Sequence, residues 1–187
     1  MNIGNTLYVT GRKEFRAWLK QYHKTETEIW LIFYKKSSGK PRLPYADAVE
    51  EALCYGWIDS IVKKIDDEKF VQRFSPRKKN SNLSDLNKER IRRLLKQKKM
   101  TAAGLKAIEH ALNNKNISEK VTIPADILKE LKSNKIVWKY FQAFPDSYKR
   151  IRIGWIDSAR NRTDVFQTRL KYFLKMTAKN KMYGMVR

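Results

Sequence analysis

The sequence predicts an α+β fold: a small antiparallel sheet of about three strands with helices packed on it, then a basic helix and a helical C-terminal part. Three observations carry this. Ile29–Tyr34 is a run of six apolar or aromatic residues, so both faces of that strand are covered and it is central. "WIDSIVKKI" and "KFVQRF" flank "DDE" as the two arms of a β-hairpin. Beyond Pro124, apolar residues recur only at helical spacing.

Taken in order, "GRKEFRAWLKQY" places Phe15, Trp18, Leu19 and Tyr22 on one stripe of a first helix, with Thr10 as its N-cap. The central strand follows, then the loop "SSGKPR". A second helix carries Tyr45, Ala48, Val49, Ala52 and Leu53, with Pro44 near its start and Gly56 as its stop. After the hairpin and the loop "SPRKKNSNLS", Ser84 caps a strongly basic helix, in which seven of the twelve residues 88–99 are Lys or Arg. Thr101 opens another helix running to about Leu112. The polar stretch 113–122 reads as a linker, dividing an α+β part (1–116) from a helical part (117–187); the two pack as one unit or stand as independent domains. Four apolar stripes follow, marked by Ile127 and Leu131, by Trp138 and Phe141, by Tyr148 to Ala159, and by Phe166 to Leu174. Trp18, Trp30, Phe33, Leu53 and Phe74 are expected in the core.

The pentamer "GWIDS" occurs at 56–60 and again at 154–158. The first copy ends a helix and enters a strand, whereas the second lies inside a helical stripe. Gly56 stops an element and Gly154 sits within one, where close packing would call for it. The copies are not a structural repeat.

Charge is the outlying property of the composition: 41 Lys and Arg against 19 Asp and Glu give a net +22 over 187 residues. Such an excess attracts nucleic acid, anionic lipid headgroups or acidic proteins, or serves only to keep the chain soluble. Lys88, Arg92, Lys96 and Lys99 are the candidate polyanion contacts, and non-specific phosphate contact is the mode that fits, because no aromatic residue interleaves with them. The single cysteine, Cys54, excludes an internal disulfide and any cysteine-based zinc site, and it lies on a strongly apolar helix as a small buried hydrophobe. His23 and His110 sit near helix ends as caps or solvent-facing groups rather than metal ligands. There is no apolar stretch of membrane-spanning length and no signal-peptide pattern, which places the chain in the cytoplasm.

Enzyme motifs are missing: no G-x-S-x-G, Walker A, G-x-G-x-x-G or H-E-x-x-H. The sequence leans away from an enzyme and implies no cofactor. The densest polar set is Trp57, Asp59, Arg73, Arg77, Ser81, Ser84 and Asn87. Asp59 and Arg73 would approach across the hairpin, and an Arg/Ser loop entering a helix N-terminus suits an anion. Its structural alternative is an Asp–Arg pair fixing the sheet and a serine cap. A cleft lined by Trp57 and Arg77 would favour an enzyme or small-molecule sensor. A continuous positive face without a cleft would favour a polyanion binder.

The run from "EALCYGWIDSIVKKIDDEKFVQRFSPRKKNSNLSDLN" to "MTAAGL" resembles the bacterial bacteriocin-protection, YdeI/OmpD-associated family. "FRAWL", "EIWLIFYKK", "IPADILKEL" and "FPDSYKRIRIGWIDSAR" are similar too, so the resemblance spans roughly residues 7–160. The chain departs at Leu83, where members usually carry Trp. That Trp is either a stacking platform lost here or a packing residue modestly changed. The resemblance implies a role in stress or bacteriocin protection and carries over no catalytic residues.

Overall fold

A computed structural model describes residues 2–79, 81–113, 117 and 120–184. Half of the polar 113–122 stretch lies outside them. The chain divides into two compact units, one comprising residues 1–82 and 90–116, the other residues 83–89 and 117–187.

In the first unit, β1 (Thr6–Leu7) precedes α1 (Arg12–Tyr22), β2 (Ile29–Tyr34), α2 (Tyr45–Cys54), β3 (Trp57–Lys64) and β4 (Lys69–Pro76). Helix α3 (Asp85–Lys96) gives its first turn to the second unit and the rest to the first, and α4 (Ala102–Asn113) completes the first. The sheet order is β1-β2-β4-β3. It is mixed rather than purely antiparallel, because two-residue β1 runs parallel to β2, a fourth strand too short to leave an apolar pattern. β2 is central as its composition requires, and Ile29, Trp30, Leu31 and Phe33 are buried. Leu53 and Phe74 are buried as well, while Trp18 is half-exposed, its ring edge-on to Trp57 at 5.6 Å.

The hairpin register decides what each side chain can reach. Asp59 stands opposite Phe74 and Ile58 opposite Ser75. Cross-strand partners share a face, so Trp57, Asp59, Gln72 and Phe74 point one way and Ile58, Arg73 and Ser75 the other. The first face meets the helices: Phe15 of α1 contacts Phe74 at 5.6 Å, and Tyr45 of α2 contacts Phe33 at 6.4 Å. Gly56 joins α2 to β3 at φ +75°, where a Cβ would stand 2.8 Å from that of Ala107. The cap of α1 is Gly11 rather than Thr10; Thr10 donates instead from its backbone N–H and hydroxyl to the Glu14 carboxylate at 2.9 and 3.0 Å.

Two buried carboxylates on α2 are held by arginines from other elements. Glu51 accepts from Arg12 and Arg16, each at 2.8 Å, and Glu50 accepts from Arg12 and Arg93. Removing one partner from such a cluster leaves a buried charge uncompensated, so the arginines serve the fold.

The second unit is helical: α5 (Ala125–Lys132), α6 (Lys135–Ala143), α7 (Asp146–Asp157) and α8 (Thr163–Ala178). Its core gathers Ile127, Leu131, Phe141, Tyr148, Ile156 and Phe173, the stripes that the spacing marks. Asn134 caps α6 by accepting from the backbone N–H groups of Ile136 and Val137. Gly154 packs against Asp85, and a Cβ there would fall 1.9 Å from the carboxylate. The two GWIDS copies are thus unrelated in structure, and each glycine has its own steric reason.

Candidate functional site

The residues 57–60 and 72–76 divide between the two faces of the sheet, and the candidate site divides with them. On the helix-facing side, Asp59 accepts a 2.6 Å hydrogen bond from the Tyr45 hydroxyl and a weaker one from Gln72 at 3.4 Å. Burial and this bond push the Tyr45 phenol well above its ordinary value. Asp59 therefore does not meet Arg73. Arg73 emerges on the opposite face and pairs with Glu28 at 2.6 Å. That carboxylate also accepts from the Trp30 indole at 2.9 Å, and the two bonds hold it below the usual carboxylate range.

On the Arg73 side lies a cleft of about 780 Å³, within the range of small-molecule sites. Ile58 and Ser60 from β3 and Arg73 and Ser75 from β4 form its floor. One wall is the α1–β2 connection, from His23 to Thr27, and the other is the segment after β4, with Pro76, Arg77, Lys78, Ser81 and Asn82. Both walls hang from the dipeptide Gly56–Trp57. The Trp57 indole donates to the His23 carbonyl at 3.2 Å, and the Arg77 N–H donates to the Gly56 carbonyl at 2.8 Å. Trp57 is itself buried beneath the cleft and does not line it, contrary to the expectation from sequence. It positions the wall from below.

Arg77 is the residue that sets this cleft apart. Its Nη2 donates to the Asn82 carbonyl at 2.5 Å, but Nε and Nη1 are buried without a hydrogen-bond partner among the described residues, as is the Ser81 hydroxyl. Burial lowers the Arg77 pKa below the ordinary guanidinium value, with the Asp59 charge pulling the other way. A guanidinium nonetheless stays charged. A buried donor left unpaired costs roughly 1–3 kcal/mol, more for a charged group, and an entering anion would recover it.

Ser84 and Asn87 belong to the second unit. The Ser84 hydroxyl accepts from the Asn87 N–H at 3.3 Å, the N-cap that the sequence predicts for α3. Leu83 is 8% exposed, a packing position and not a platform.

The basic helix is less basic outward than its composition. Arg90 is buried and Arg93 is paired with Glu50, while Lys88 is paired with Asp85. Arg92 is half-buried and Lys96 is exposed. Lys99 does not extend the Arg92–Lys96 row, because α3 ends at Lys96. Lys98 adopts φ +54°, and the N–H groups of Lys98 and Lys99 return to the carbonyls of Leu95 and Leu94, a Schellman stop with lysine where glycine is usual.

His23 bonds the Leu19 carbonyl at 2.8 Å and His110 the Ser81 carbonyl at 3.2 Å, both as local anchors. Cys54 is buried, and burial pushes its thiol up, as for an inert packing residue. Among the described residues no cluster of three or more metal-ligating side chains forms, and no helix is long and apolar enough to cross a membrane.

Residues 7–107 match the family described as Domain of unknown function (DUF8412). The chain belongs to that family. Residues 120–180 match the family described as Bacteriocin-protection, YdeI or OmpD-Associated, in agreement with the family named from sequence, while the run 51–105 that chiefly carried that resemblance falls within the DUF8412 match. The DUF8412 match covers the sheet from Leu7 onward, both cleft walls up to Asn82, and α3; the YdeI/OmpD-associated match covers α5 to α8. No curated protein and no solved structure matches the chain.

Proposed function

We propose that the chain serves in protection against bacteriocins or comparable stress as a non-catalytic receptor for a small anionic ligand, bound in the sheet cleft by Arg77 and Ser81. The protective role draws its support from the match of residues 120–180. The anion-binding role rests on one observation: two buried guanidinium nitrogens and a buried hydroxyl on a cleft wall lack partners. A ligand oxygen that reaches these atoms gains charge-assisted hydrogen bonds. The cleft, rather than a flat positive face, favours a small ligand over a polymer. Titration with inorganic phosphate, followed by backbone amide shifts, tests this. Residues 23–27, 58–60 and 73–82 shift in the wild type, and Arg77→Ala weakens binding by about tenfold or more. Unmoved amides in these segments at millimolar phosphate would falsify the proposal.

Contact with nucleic acid or another polyanion is the second function that the net +22 supports. Exposed Lys96, Lys98 and Lys99 are its best placed residues. Such binding is independent of sequence and weakens with salt by a log–log slope of about −0.9 per phosphate contacted on duplex DNA. Replacing the three lysines by Gln flattens that slope.

A further inference from the structure

The ligand class follows from the charge and the walls of the same cleft, and this step rests on the anion-binding role just proposed. We infer that the cleft takes a phosphomonoester carried on a hydroxylated, non-aromatic body, that is, a sugar or polyol phosphate. Arg73 on the floor is already offset by Glu28. Of the remaining lining charges, Lys24, Arg77 and Lys78 stand against Glu26, an excess of two positive charges. A phosphomonoester dianion offsets that excess, whereas one carboxylate leaves it half unmet. Around the cations, Thr25, Thr27, Ser60 and Ser75 line the cleft; the Thr25 and Ser60 hydroxyls already donate to the Tyr22 and Arg73 carbonyls, and all four can accept from the hydroxyls of a sugar or polyol. No Phe, Tyr or Trp is among the lining residues, so a nucleobase would find no stacking platform; the indoles of Trp30 and Trp57 are both buried.

The test compares glycerol 3-phosphate, ribose 5-phosphate, AMP, inorganic phosphate, sulfate and acetate by calorimetry on the full chain. Ribose 5-phosphate is expected to bind about tenfold tighter than inorganic phosphate, through two or more added hydroxyl contacts, and AMP no tighter than ribose 5-phosphate. Its affinity falls as the pH drops through about 6, where the monoester loses its second charge. His23, Lys24, Glu26, Arg77 and Lys78 line the cleft and meet sulfate and the monoester alike, so a fall seen with the monoester alone belongs to the ligand. Sulfate, dianionic throughout, shows no such fall. AMP binding tenfold tighter than ribose 5-phosphate, or ribose 5-phosphate no tighter than inorganic phosphate, overturns the inference while leaving the Arg77 anion site standing. Heatless titrations for every anion, with no amide shifts in residues 73–82, sink both.

Discussion

Each unit of this protein holds an arginine whose hydrogen bonding is incomplete, and the two arginines live in opposite surroundings. Arg77, in the first unit, has two unpartnered nitrogens on the wall of an open cleft. Arg152, in the second, is 8% exposed and has an unpartnered Nε, but rings surround it: Tyr183 at 4.5 Å, Tyr148 at 5.6 Å and Trp155 at 5.7 Å. Aromatic faces satisfy a cation through their quadrupole, by about 2 kcal/mol or more once desolvated, and need no hydrogen bond to do so. The Tyr183 phenol, buried among these groups, is pushed up to about 12 by desolvation, against the pull of the Arg152 charge. The same gap in hydrogen bonding therefore means different things. Around Arg152 the protein itself supplies the compensation; around Arg77, on the proposal above, an anionic ligand does.

The largest expected effect tests whether the two units are separable in energy as well as in contacts. Trp30→Ala is expected to cost about 3–5 kcal/mol, as for a fully buried ring on the central strand. Hydrogen exchange resolved by segment should show the loss in β2 and β4, with α5 to α8 unaffected. A loss well under 1 kcal/mol would remove β2 from the centre of the core. An equal loss of protection in α5 to α8 would mean that the units unfold as one.

A smaller effect separates the two arginines directly. Arg152→Ala is expected to destabilise the protein by about 2–3 kcal/mol, through lost ring contacts and packing. Arg77→Ala is expected to change stability by less than about 0.5 kcal/mol, or to raise it, since it removes an uncompensated buried cation. Urea denaturation of both variants checks the pair. Were Arg77→Ala the more damaging, Arg77 would be a structural residue and the comparison would collapse.

The smallest effect concerns the floor of the cleft. The Trp30 and Arg73 bonds hold Glu28 below its ordinary 4.5. A carboxylate depressed on folding contributes stability that is fully present above its unfolded value and is lost as the pH falls through the folded one. Glu28→Gln should thus be less stable than the wild type at pH 7, and the two stability curves should converge below about pH 4.5. Curves that stay parallel down to pH 3 would mean that the Arg73–Glu28 pair contributes nothing through its charge.

By itself the sequence determined the kinds of element, their order and most of the core, because hydrophobic periodicity is a local signal. The unbroken apolar run of β2, the stripes of α5 to α8 and the different settings of the two GWIDS copies all follow from neighbours within a turn or a strand. It also named Arg77 and Ser81 within a set of seven polar and aromatic residues that the fold then divides. What it missed was pairing at a distance. Trp57, Asp59 and Arg73 are grouped by proximity in sequence, yet strand alternation and the β3–β4 register put Arg73 on the other face from the first two. The parity was partly legible: with Phe74 in the core, Arg73 had to point away. That Glu28 would neutralise Arg73, that Glu50 would hold Arg93, and that a cleft would open beside Arg77 were not legible. Those facts depend on which elements meet across 40 or more residues of chain. Only the tertiary structure decides how a charge is compensated, because Coulomb and hydrogen-bond energies depend on distances between segments and not on their order along the chain.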